Sequence, residues 1–142
     1  MVPFIVLTKN LPVCKDTFPA GSMIAISKSH GDGYWIIIRK DRSNVFYTLD
    51  VAADSIRYSK KVIGDYYRYG DLGVAAFSPD GKKYAFYSQK FGLELMDFDR
   101  ESGMLANYQK IQVLDTIEGG GYGGICFSPN SQFLYVATAV DL

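Results

Sequence analysis

The sequence predicts an all-β fold assembled from repeated four-stranded antiparallel units, and three observations carry that reading. The first is a repeat: Gly73-x-x-x-Phe77-Ser78-Pro79-Asp80-Gly81 returns as Gly123-x-x-x-Phe127-Ser128-Pro129-Asn130-Ser131, 50 residues further on. The second is composition, with 15% aromatic residues that favour strands and 14 Gly that supply turns. The third is that no segment is long or periodic enough for a helix. Self-similarity at roughly 40–50 residues, with several short strands in each unit, is how β-propeller blades look in sequence.

The elements follow in order. Residues 1–22 hold the end of a preceding blade, with Pro3–Thr8 as its outermost strand, and a linker. The first blade, 23–63, holds strands at Ile24–Ser27, Tyr34–Arg39, Val45–Val51 and Ile56–Ile63. Its first turn, Ser29-His30-Gly31-Asp32-Gly33, keeps the glycine and aspartate of the later turns but loses the proline, and glycine still permits a tight connection. The second blade, 73–114, reads as Val74–Phe77, Lys83–Ser88, Leu93–Asp99, the turn Arg100–Gly103, and a last strand at Tyr108–Leu114. A third blade starts at 123, with strands at Ile125–Ser128 and Phe133–Thr138, and Val140–Leu142 stops where its third strand should begin. The whole of 1–142 therefore reads as one piece of a propeller, an incomplete ring of about two and a half blades where closed rings have roughly four to eight.

Charge excludes some partners. Fifteen basic and 15 acidic residues cancel, so no bulk field draws the chain to nucleic acid or to an acidic membrane. No apolar run approaches the roughly 20 residues of a membrane span, and the amino end carries no signal-like pattern. Cys14 and Cys126 are the two cysteines; Cys126, inside a strand, reads as a small buried hydrophobe, with pairing to Cys14 as the alternative in an oxidising compartment.

The runs at 77–84 and 127–136, with the strand Leu93–Asp99 and its Ser-Gly turn, resemble the WD-repeat-like, YVTN-type propeller repeats of bacterial surface proteins. The stretch around Gly33–Arg39 and Asn44–Thr48 resembles the preceding blade in large secreted or surface proteins of Bacteroidetes type. The resemblance covers roughly 20–142 and is specific for architecture, not for activity. It implies a secreted or cell-surface location. The Trp-Asp dipeptide of eukaryotic WD repeats is absent, and the single tryptophan, Trp35, sits in a second strand.

Motifs that carry chemistry are sparse. Asp97-x-Asp99-x-Glu101-x-Gly103 looks like a calcium loop, but Ser102 and Tyr108 occupy the positions where an EF-hand loop needs Gly and Glu. The glycine-rich stretch 119–124 leads into a strand rather than a helix, so it reads as a flexible connection and not a phosphate cradle. His30 is alone between turn residues, and no serine has a base nearby in sequence. No catalytic residue, metal site or cofactor is expected.

The candidate binding residues are Tyr66, Tyr67, Arg68, Tyr69 and Tyr122, which lie in two connections at the same phase of successive blades. Tyr and Arg concentrate at interface cores because they offer large amphipathic surface at low entropic cost. These loops therefore suggest a surface for a protein or glycan, with rings folded back to cap the blade junction as the structural alternative.

Because the inner strands Ile24–Ile26, Val74–Phe77 and Ile125–Phe127 are small and apolar, the expected function is a non-catalytic binding or scaffolding module of a larger surface or secreted protein. The alternative is part of a propeller enzyme, hydrolase or lyase, whose active site in the central channel is completed by missing blades. Exposed edges make either a longer chain or self-association necessary to close the ring. The longer chain is favoured, since both ends cut through a blade.

Overall fold

The structure is a computed structural model, and it describes residues 12–70, 72–88, 90–113 and 123–138. These contain ten strands and no helix. Strands β1 (Met23–Ser27), β2 (Tyr34–Arg39), β3 (Val45–Val51) and β4 (Ile56–Val62) form one four-stranded sheet in that order. A second four-stranded sheet follows the same order with β5 (Val74–Phe77), β6 (Lys83–Ser88), β7 (Gly92–Asp99) and β8 (Met104–Ile111). Strands β9 (Gly123–Phe127) and β10 (Leu134–Thr138) pair as a hairpin. All neighbours are antiparallel. The edge strand β1 lies against β5, and β5 against β9, so the first strands of successive units line up side by side. The architecture is all-β and propeller-like.

Strand alternation explains the near-continuous apolar runs. Trp35 and Ile37 of β2 point into the core between the two sheets, with Phe46, Tyr84, Phe86, Met96, Phe98 and Leu105. Ile38, one residue out of phase, joins Tyr47 and Leu49 on the opposite face, where Cys14 and Phe18 of the 12–22 segment pack over them. Asp16 holds that segment down: it accepts a hydrogen bond from the Tyr47 hydroxyl and pairs with Lys40 at 3.0 Å. Those partners, with the Thr17 N–H, pull its carboxyl down to about 2. A further core joins Ala85, Tyr87 and Leu93 to Ile125, Phe127, Leu134 and Val136 of the β9–β10 hairpin.

The repeated tripeptide builds the same turn twice. Ser78 Oγ donates to Asp80 Oδ1 at 2.6 Å and accepts the Lys83 N–H at 2.9 Å, while Ser128 Oγ donates to Asn130 Oδ1 at 2.7 Å and accepts the Phe133 N–H at 2.9 Å. Adjacent turns also touch, since Ser131 Oγ accepts the Asp80 N–H at 3.0 Å. In the first sheet the Lys28 N–H bonds to the Gly33 carbonyl and the Gly31 N–H to the Lys28 carbonyl. Lys28 thus stands where the serines stand, and His30, not Asp32, takes the place of Asp80. The lysine side chain instead pairs with Asp50. Arg100, from the β7–β8 turn, clamps this first turn through the Ser27 and Lys28 carbonyls.

Two expectations need correction. The last strand of the second sheet begins at Met104, directly after the hairpin turn, and not at Tyr108; a bulge between Leu95 and Asp97 and the left-handed Asn107 (φ 51°) hid its period. Cys126 is exposed, because β9 turns Ile125 and Phe127 inward, and both cysteines are free. The proposed strand at Pro3–Thr8 and the end at Val140–Leu142 lie outside the described residues.

Glycines that precede the first strands have a packing reason. A Cβ on Gly73 would enter the Phe86 ring, and one on Gly123 would stand 2.7 Å from the Ala137 carbonyl oxygen. Gly21 is the tightest of these three: its φ is +77°, and a Cβ there would collide with the Gly73 carbonyl at the β1–β5 junction. Gly21→Ala should cost about 2–4 kcal/mol, combining left-handed strain with a forced backbone shift. Urea unfolding measures it, and an unchanged midpoint would show that the junction is looser than described.

Candidate functional site

The β2 phase that points Trp35 and Ile37 inward also points Arg39 inward, and the β7 phase of Met96 and Phe98 does the same for Glu94. The two meet between the sheets: Arg39 Nη1 lies 2.7 Å from Glu94 Oε2, and the residues are 5% and 1% exposed. The Tyr67 hydroxyl donates to Glu94 Oε1 at 2.9 Å and the Tyr108 hydroxyl to the same oxygen at 3.1 Å. Arg39 also donates to the Ser43 carbonyl, and its guanidinium lies 4.4 Å from the Tyr67 ring centroid. Burial pushes the Glu94 carboxyl above the usual range, although Arg39 and both tyrosines oppose the shift. Burial likewise pushes up the Tyr67 hydroxyl. Nearby, the fully buried Tyr84 hydroxyl has no hydrogen-bond partner among the described residues, its ring being held edge-on by Phe46 and Phe77.

This network underlies a concave surface. Where β2 ends and β1 and β5 begin, the β2–β3 turn, the β4–β5 link and the segment before β1 come together. A recess of about 20 Å³ opens there beside Arg39, Ser43, Tyr67, Tyr69, Phe86 and Phe91. It adjoins an open depression of about 390 Å³ lined by Pro19, Asp41, Arg42, Gly70 and Leu72. Pro19, Asp41 and Arg42 border both. The larger volume falls in the range of small-molecule sites, roughly 300–1,000 Å³. Among the described residues Asp41 is the carboxylate on this lining; the Asp41 N–H bonds to the Thr17 carbonyl at 2.9 Å, and its Oδ2 lies 3.5 Å from Arg42 Nε. Gly70 packs so close that a Cβ would sit 2.8 Å from Asp41 Oδ1.

The tyrosine-rich link divides by role. Tyr67 is 7% exposed and stacks on Phe91 with ring centroids 4.0 Å apart, so it anchors the loop. Tyr66 and Tyr69 stay 65% and 63% exposed, and Arg68 is exposed as well. Tyr69 borders the recess, with Lys90 Nζ 4.9 Å from its ring centroid. Tyr122 lies outside the described residues. Asp97 pairs with Lys83 and accepts from Asn107, and Asp99 accepts from the Glu101 N–H and the Ser102 hydroxyl, so both serve their hairpin. Among the described residues no group of three or more His, Cys, Asp and Glu could hold a metal, and no helix is long and apolar enough to cross a membrane.

Sequence reasoning missed Arg39, Glu94, Asp41 and Arg42. The first two carried a usable signal: an arginine and a glutamate continue the inward phase of two strands otherwise lined by core residues. The other two had none, because their meeting place is made by three separate connections.

No family model and no curated protein matches the chain. Among solved structures it is similar to a Bacteroides fragilis protein provisionally assigned as a 6-phosphogluconolactonase, with a TM-score of 0.55 and 19% identity. The match covers 82% of this chain and 32% of that one, so the chain spans about a third of that protein's length. The likeness supports the propeller-like fold. It also corrects the expectation of a non-catalytic binding module, since the protein sharing this architecture is assigned as an enzyme. The physical reason for the error is location: polar groups gather on the connections at one end of the strands, so apolar inner strands do not argue against catalysis.

Proposed function

We propose that this chain is part of a propeller enzyme of the hydrolase class, with a small-molecule site in the depression where β1 and β5 begin. The observation that carries the reading is that depression of about 390 Å³, bordered by a carboxylate and backed by a buried, fully partnered Arg39–Glu94–Tyr67 network. The structural neighbour's assignment suggests lactone hydrolysis as the reaction. Water attacks the ring carbonyl, the ring C–O bond breaks, and the proton lost by water returns to the departing oxygen, giving a hydroxy acid. Asp41 is the group suited to take the proton from water.

The test is hydrolysis of sugar lactones, with and without a phosphate group, followed by acid release in a pH-stat. Turnover above the spontaneous rate is expected. Hydrolysis no faster than in buffer, for every lactone offered to the folded protein, would overturn the reading.

A further inference from the structure

We infer that Arg42 is an anion-binding residue of the depression, taking a carboxylate or phosphate group of the ligand. This deepens the proposed function by naming the ligand's charge, and it rests on that reading for the location of the site. The first observation is backbone conformation. Arg42 has φ 50°, one of three non-glycine residues in the left-handed region among the described residues, with Asn107 (φ 51°) and Ser131 (φ 61°). Such a conformation is disfavoured for a long side chain and calls for a compensating role.

For the other two that role is internal. Asn107 Nδ2 donates to Asp97, and Ser131 Oγ accepts the Asp80 N–H. Among the described residues Arg42 makes no comparable bond. Its guanidinium is 69% exposed, and the Asp41 carboxylate, at 3.5 Å from Nε, is its ion-pair partner among the described residues.

The second observation is where that guanidinium stands. Arg42 borders both the recess and the depression, and Arg39 and Lys40 also line the recess. Arg39 is held by Glu94 and Lys40 by Asp16, so both positive charges are already engaged. Among the described residues Arg42 is left as the cation of this lining with a fork of N–H donors to offer, the geometry that suits a carboxylate or phosphate. Asp41 competes for it only at the edge of hydrogen-bond distance, so an entering anion can draw the guanidinium inward.

The experiment is titration calorimetry on the protein at low salt with inorganic phosphate and, separately, acetate as probes. We expect at least one to bind, with the tighter of the two naming the group. Arg42→Gly should weaken that binding about tenfold or more, as loss of a charge-assisted contact implies. Its melting temperature should not fall, because glycine relieves the left-handed strain. Arg42→Lys, which keeps the charge but loses the fork, should fall between. An affinity for Arg42→Gly within twofold of the parent, or no binding of either probe by the parent, would overturn the inference. The two readings fail separately: anion binding lost in Arg42→Gly without any lactone turnover leaves the inference standing and the reaction wrong. Turnover with unchanged KM and phosphate affinity in Arg42→Gly does the reverse.

Discussion

Arg39→Ala is expected to destabilise the fold by about 3–5 kcal/mol, because it leaves the Glu94 carboxylate buried without its counter-charge. The glutamate is 1% exposed and cannot turn to water. Two tyrosine hydroxyls still donate to it, which offsets part of the loss and not all. The deficit should depend on pH in one direction. Burial already raises the Glu94 carboxyl above its unfolded value, so the cost of its charged form is present at neutral pH. That cost is relieved as pH falls through the folded value towards the unfolded one. The variant should therefore differ most from the parent near neutral pH and less in mild acid. Replacing both partners, Arg39→Leu with Glu94→Leu, should recover much of the stability, since no charge is then stranded. Urea titrations across pH measure all of this; an Arg39→Ala midpoint equal to the parent's would mean that the network contributes no stability.

How much of this was legible in sequence depends on whether a feature is local. The Ser78 and Ser128 turns could be read because their hydrogen bonds close within six residues, so the same letters recur wherever the turn does. Gly73 and Gly123 repeat because each sits where an aromatic ring or a carbonyl leaves no space for a Cβ. Strand β8 was misplaced because a bulge breaks the period of two on which strand reading relies. Glu94 was harder still. In Leu93-Glu94-Leu95 it looks like the outward member of an alternating strand, yet both faces of β7 are covered, Leu93 and Leu95 packing toward β9–β10 and Glu94 toward the first sheet. Tyr67 could not be told from Tyr66 and Tyr69 within its loop, because Glu94 and Arg39, far away in sequence, decide that it turns inward while the other two stay out. The depression joins residues from 19 to 72 through three connections, and no spacing rule encodes that.

Asp41→Asn is expected to lower kcat for lactone hydrolysis about 10²–10⁴-fold, the usual contribution of a positioned general base. The substitution is a sharp one because it is nearly isosteric. The Asp41 N–H keeps its bond to the Thr17 carbonyl, and the space against Gly70 is unchanged, so the turn has no reason to move. What is lost is the ability to take a proton from water. A lowered kcat with little change in KM and an unchanged urea midpoint would place the carboxylate in the chemical step. A raised KM at constant kcat would instead assign Asp41 to substrate binding, and loss of stability would mean that its contact with Arg42 holds the turn. Full activity in Asp41→Asn would assign the catalytic base to another residue, leaving Asp41 as part of the binding wall only.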